Sequence, residues 1–229
     1  MASSHGACFA RRAATYKRGD LIFRDPDRLR WIARTVGGLQ IVFGGKAHPR
    51  DGGGKELIRK IAEHAHALQD QIRVVYVEDF DWQWAPLLYS GVDLWLNTPK
   101  RPQEASGTSG MKAALNGVPS LSILDGWWIE GCLEGVTGWG IAENAGDDDE
   151  EYEAGSLYHK LESVIVPMFY SNPDAYARVM RGAIAANGSF FNTHRMVSQY
   201  LDNAWFRDEE REAAERESAE RESAEVRIA

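Results

Sequence analysis

The sequence predicts an α/β fold, a doubly wound parallel sheet with C-terminal helices, because apolar runs alternate with helix-period segments and the links between them are short. Residues 39–43 (L-Q-I-V-F) end at Gly44-Gly45 and read as a buried strand. Residues 55–68 set Leu57, Ile58, Ile61, Ala62 and Ala65 on one helical face. Residues 72–77 read as a second strand, 81–89 as a helix capped by Asp81, 93–96 as a third strand and 121–124 as a fourth. Between the last two, Met111, Lys112, Ala113, Ala114 and Leu115 favour a short helix that Asn116-Gly117 stops. In such a sheet ligands gather beyond the carboxyl ends of the strands, where residues 44–46, 78–80 and 97–110 fall.

Past Gly140 the period turns helical, with Leu157, Leu161, Val164 and Ile165 on one face. Pro167 is placed to kink that helix, Asn172-Pro173 to start another, and residues 190–206 to form a last amphipathic segment. The acidic run 147–151 reads as a solvated loop rather than a metal site, since adjacent carboxylates repel. From Arg207 the chain holds only charged, alanine and serine residues until Val226, with A-E-R-E-S repeated. The expected organisation is a disordered segment 1–8, one lobe over 9–206 and a charged helical or disordered tail over 207–229.

Composition narrows the function. A chain of 229 residues with 44% hydrophobic content can bury a core, and no stretch reaches the roughly 18 apolar residues of a membrane span. The first residues lack the charged-then-apolar order of a secretory signal, so a cytoplasmic location is expected. Cys8 and Cys132 lack metal spacing and read as reduced and structural. His64 and His66 read as residues of an exposed helix face, and a net charge of −8 argues against nucleic acid as a partner. Against that average, Arg11, Arg12, Lys17, Arg18, Arg24, Arg28, Arg30 and Arg34 face only Asp20, Asp25 and Asp27. For residues 24–34 this reads as a salt-bridged helix surface.

The most telling stretch is Glu104-Ala105-Ser106-Gly107-Thr108-Ser109-Gly110-Met111-Lys112. A turn of small residues opens a helix whose first N–H groups and dipole favour an anion, and Lys112, about one turn in, can project over that anion or condense with an aldehyde. A lysine beside a phosphate cradle is what pyridoxal phosphate needs. Read alone, the string is better described as a helix capped by Thr108 or Ser109 with a solvated lysine, and its neighbours change that balance.

Extended through Leu115-Asn116-Gly117, the segment resembles the pyridoxal-phosphate signature of the α-glucan (glycogen, starch, maltodextrin) phosphorylases, with Lys112 at the cofactor-lysine position. Three further blocks fall in that family's order: residues 9–18 (F-A-R-R-A-A-T-Y-K-R), 43–49 (F-G-G-K-A-H-P) and 90–97 (S-G-V-D-L-W-L-N). Leu124-Asp125-Gly126-Trp127-Trp128 resembles the shorter bacterial and archaeal members more than the animal ones. The resemblance implies a Rossmann-like C-terminal lobe of a GT-B glycosyltransferase. Its activity would be retaining phosphorolysis, in which inorganic phosphate attacks the terminal glucose of an α-1,4-glucan to give α-D-glucose 1-phosphate. It assigns Lys112 to hold pyridoxal 5′-phosphate, and Arg11, Lys17, Thr108 and Ser109 to hold the cofactor phosphate. Arg12 and Lys17 fall to the phosphate substrate, and Glu104, Ser106 and Gly107 to the glucosyl hydroxyls.

Arg11 stands where many relatives carry lysine, which keeps the charge and alters the geometry. Phe80 stands where relatives often carry tyrosine, so a hydroxyl contact is lost. The resemblance covers one lobe of two, so the chain alone is expected to be inactive until a separately encoded first lobe completes the site. The alternatives are a non-catalytic relative that binds cofactor or glucan, and a nucleotide-sugar glycosyltransferase lobe. The latter often carries glutamate at the eighth position after the first Glu, where this chain has Lys112.

Overall fold

The computed structural model describes residues 5–10, 12–143 and 149–205, and the chain divides into two compact units, Met1–Ser189 and Phe190–Ala229. Among its described residues the first unit has six strands: β1 (His5–Ala10), β2 (Leu39–Gly44), β3 (Arg73–Val77), β4 (Leu94–Asn97), β5 (Ser120–Ile123) and β6 (Gly138–Ile141). Their order is β3-β2-β1-β4-β5-β6 and every adjacent pair is parallel, with registers such as Ala7↔Ile41, Ala7↔Leu94 and Leu121↔Trp139. The order reverses between β1 and β4, the switch point where open parallel sheets bind ligands.

Two strands were not among the four expected. The stretch 5–10 is short and rich in small residues, and Gly138-Trp139-Gly140-Ile141 is interrupted by glycine, so neither carries a local strand signal. Both form because neighbours on the sheet supply their hydrogen bonds. Residues 5–8, expected to be disordered, therefore belong to an interior strand.

Side-chain alternation assigns the two faces. Leu39, Ile41 and Phe43 of β2 and Leu94 and Leu96 of β4 enter the main core with Leu121, Ile123, Trp139 and Ile141. Trp95, between the two leucines, points the other way, into a second cluster with Ala113 and Val118 that Val42, Leu88 and Tyr89 complete. Both faces are thus covered, as a parallel sheet requires.

The crossover helices start where local chemistry caps them. In α1 (Pro26–Trp31) the Asp25 carboxylate accepts from Arg28 N at 2.9 Å. In α2 (Gly52–Leu68) the Asp51 carboxylate accepts from Gly54 N at 2.9 Å. Ahead of α3 (Trp84–Gly91), Asp81 accepts from Gln83 N and Trp84 N. The helix α4 (Thr108–Leu115) begins three residues earlier than its good helix formers suggested, and α5 (Trp128–Gly131) follows β5.

The acidic run ends as helix rather than loop. Asp149 caps α6 (Glu150–Lys160) by accepting from Tyr152 N at 2.9 Å, so Glu150 and Glu151 sit in its first turn, where the dipole favours them. This helix passes through a π-helical segment, Leu161–Ile165, into α7 (Val166–Ser171), so the backbone widens just before Pro167. Asn172 caps α8 (Pro173–Gly182), as its sequence anticipated.

The second unit holds α9 (Thr193–Tyr200), capped by Asn192, and the π-helical Leu201–Trp205. The lobe was expected to run to residue 206, whereas the compact unit closes at Ser189. Residues 206–229, the expected tail, lie outside the described residues. No helix among the described residues is long and apolar enough to cross a membrane.

Candidate functional site

The carboxyl ends of β1 and β4 carry the two segments that the sequence singled out. After β1, a single 3-10 turn, Thr15–Lys17, closes on Arg18, which adopts the left-handed region at φ 44°. Stitching to the loop after β4 holds this turn. Lys100 N donates to Tyr16 O at 2.7 Å, and Thr98 Oγ1 donates to Arg18 O at 2.9 Å. The Arg18 guanidinium donates to Pro99 O at 2.8 Å and pairs with the buried Glu153 at 2.6 Å. Arg18 is thereby committed to structure, and its basic neighbour Lys17 is turned toward the loop.

Lys17 and Glu104 form an ion pair across 87 residues of sequence, with Lys17 8% and Glu104 7% exposed. Two residues assigned separate ligands are therefore bound to each other. Burial makes the pair strong in Coulomb terms and costly to break from one side.

The loop from Glu104 is fastened to the turn after β5. Glu104 N donates to Asp125 Oδ2 and Gly126 N to Asp125 Oδ1, both at 2.9 Å, and Trp127 N donates to Ser106 O at 2.8 Å. Gly126, at φ +56°, could carry no side chain, because a Cβ there would stand 2.6 Å from Ser106 O. Gly107, at φ +86°, is the N-cap of α4 and contributes no side-chain cap. The sequence reading gave the loop glycines the task of letting the backbone approach a phosphate. At 107 and 110 the observed constraint is different: a Cβ would meet the Trp127 ring at 3.0 and 2.9 Å.

Thr108 is exposed and Ser109 half-buried, in the first turn of α4. Lys112 is exposed, with its ammonium 5.6 Å from the centroid of the Tyr89 ring, so the amine is open to a ligand from outside. Arg12 is exposed, and Arg11 lies outside the described residues. Phe80 packs edge-on against Gly44, where a Cβ would come within 2.8 Å of its ring, so this position serves packing. His64, expected on an exposed face, is half-buried and stacks on Phe23 at 4.8 Å.

A cavity of about 510 Å³ is lined by Thr15, Arg18, Arg24, Lys60, His64 and Glu150 among others, and by no residue of 104–112. Thr108 and Lys112 are exposed outside that cavity, on the helix that follows β4. Among the described residues no group of three or more His, Cys, Asp or Glu could hold a metal. Cys132 is a free thiol, pushed up to about 12 by burial and then by Glu134 and Glu143. Asp125 and Trp127 carry the loop geometry and were not among the expected site residues; the Asp-Gly pair after a strand was the available signal.

The parallel sheet thus carries a basic turn and a glycine-flanked lysine helix at its switch point. The carbohydrate phosphorylase family matches residues 24–138, and the chain belongs to it. The chain is similar to the maltodextrin phosphorylase of Thermococcus litoralis, 45% identical over 85% of this chain and 24% of that protein. It is 42% identical to the glycogen phosphorylase of Mycobacterium tuberculosis, over 85% of this chain and 24% of the relative. The human liver form of glycogen phosphorylase is 25% identical over 80% of this chain and 28% of its own length. The chain thus spans about a quarter of the length of these relatives, and the archaeal and bacterial ones are nearer than the human.

Proposed function

We propose that this chain supplies the cofactor-binding lobe, of GT-B architecture, of a cytoplasmic pyridoxal-phosphate-dependent α-1,4-glucan phosphorylase. The observation that carries this reading is the burial of Lys17 against Glu104, which brings the basic turn after β1 onto the loop that leads to Lys112. The residues present fit the cofactor. Gly107 brings no side chain to the start of α4, where the helix dipole favours an anion, and the Lys112 amine is exposed, so the nucleophile is reachable by a phosphorylated aldehyde.

Lys112 would hold pyridoxal 5′-phosphate through its amine, and the N–H groups of Thr108 and Ser109, with Arg11 and Lys17, would hold its phosphate. When bound, the cofactor supplies a phosphate that exchanges a proton with the substrate phosphate. Arg12 and Lys17 would orient inorganic phosphate and offset the crowded negative charge. Glu104, with the backbone at Ser106 and Gly107, would accept from glucosyl hydroxyls, which requires Lys17 to be shared with or released to the phosphate. The substrate phosphate would give its proton to glucan O4 as the C1–O4 bond breaks, and its oxygen would bond to C1 from the face that O4 leaves. The product, α-D-glucose 1-phosphate, leaves with retained configuration.

The chain spans about a quarter of its relatives' length, and the residues described should not by themselves exclude water or orient both substrates. Adding pyridoxal 5′-phosphate to the purified chain should give a carbonyl-adduct absorbance that borohydride fixes on Lys112 and that Lys112→Ala abolishes. An unchanged spectrum overturns the cofactor assignment. Release of glucose 1-phosphate from maltodextrin and phosphate should require a complementing first lobe; vigorous turnover by the chain alone overturns the half-site reading.

A further inference from the structure

We propose that Asp125 and Trp127 are positioning residues that hold the start of α4 and the loop before it in the geometry needed to grip a phosphate. The inference rests on the cofactor reading above and goes beyond it, because neither residue belongs to the set assigned to touch ligand.

Two independent devices converge on the loop. The first is the Asp125 carboxylate, 5% exposed, which accepts from Glu104 N at one oxygen and from Gly126 N at the other. A carboxylate receiving two backbone N–H groups makes charge-assisted bonds of fixed direction. It sets both where Glu104 leaves the backbone and how the turn after β5 closes. The second is Trp127, also 5% exposed, whose N–H donates to Ser106 O at 2.8 Å and whose ring lies against Gly107 and Gly110. The ring thus supports the N-cap and the first turn of α4 from beneath. Gly110 and Gly126 have contacts too close for a Cβ, and Gly107, at φ +86°, sits where a side chain is strained, so the loop is tightly constrained on this support. A helix start that is already ordered loses less freedom when it captures an anion.

The test uses the whole chain and compares two probes, pyridoxal 5′-phosphate and pyridoxal, which share the aldehyde and differ in the phosphate. Apparent affinities are read from adduct absorbance, and the labelled peptide is identified after borohydride reduction. Wild type should prefer the phosphorylated probe. In Asp125→Asn one of the two N–H groups faces an amide donor instead of an acceptor, and the preference should fall about tenfold. Binding of pyridoxal should hardly move. Trp127→Phe keeps the carboxylate bonds, thins the support under the glycines and should lower the preference about threefold. It also decides the matter if Asp125→Asn does not fold. A ratio equal to wild type in every variant that retains its near-UV circular dichroism overturns the inference, as does an equal loss for both probes. If wild type itself forms no adduct at Lys112, or binds both probes alike, the cofactor reading fails and this inference with it.

Discussion

The β4–α4–β5 region and the β3–α3 region are built from the same alternation of strand and helix, yet they differ in how much of each is enclosed. Every residue of β4 and β5 is buried, and the loop between β4 and α4 is tied at Glu104 and Ser106 to the turn that follows β5. β3 is the edge of the sheet, its burial is partial along its length, and Trp82 beyond it is 79% exposed. Trp95, on interior strand β4, is fully buried, whereas Trp82, past the edge strand β3, is a surface residue. The strand order decides the difference, since only an interior strand has neighbours on both sides.

Substitutions can break or sharpen that contrast. The largest effect is expected at Trp95, fully buried against Ala113 and Val118: Trp95→Ala should cost about 3–5 kcal/mol in urea unfolding. A loss below about 1 kcal/mol would show the second cluster to be loosely packed. Next, Lys17→Met removes the lysine partner of a buried carboxylate and should cost about 3 kcal/mol. In Lys17→Met/Glu104→Gln the loss should be smaller than in Lys17→Met alone, and equal or larger loss would deny the coupling.

On the edge the effects shrink. Tyr76 donates to Gly45 O at 2.8 Å, so Tyr76→Phe should cost about 1 kcal/mol at neutral pH. Burial raises the Tyr76 phenol above its usual value, so the folded state resists ionisation more than the unfolded one. That contribution is complete below the unfolded pKa, about 10, and is lost as pH rises through the higher folded value. Wild type and Tyr76→Phe should therefore converge in alkaline unfolding curves, and a widening gap would reverse the sign. The smallest effect is Trp82→Ala, within about 0.5 kcal/mol, and a larger loss in thermal unfolding would reveal a hidden contact.

Local pattern made the four best strands legible, because runs such as L-Q-I-V-F alternate or stay apolar between turn residues. It could not reveal β1 or β6, whose small and glycine-rich residues become strands only through pairing. The acidic run misled in the opposite direction: charges that repel in a loop are favourable in a capped first turn. Within the site, Lys17 and Glu104 stand 87 residues apart, so no periodicity joins them, and only the resemblance named both. The loop glycines were recognised as necessary and given a different reason, since a ring that lies beneath them comes from the far side of β5. Family membership was legible from the motif itself, and the match over residues 24–138 bears it out.

The interior place of β1 has a bearing on how this polypeptide matures on the ribosome. Among the described strands it comes first in the chain, yet it pairs with β2 on one side and with the much later β4 on the other. Until β4 emerges, the flank of β1 that pairs with it lacks that strand and is a template for other chains. Expression at low temperature or with chaperones should therefore raise soluble yield, by protecting that flank through the interval.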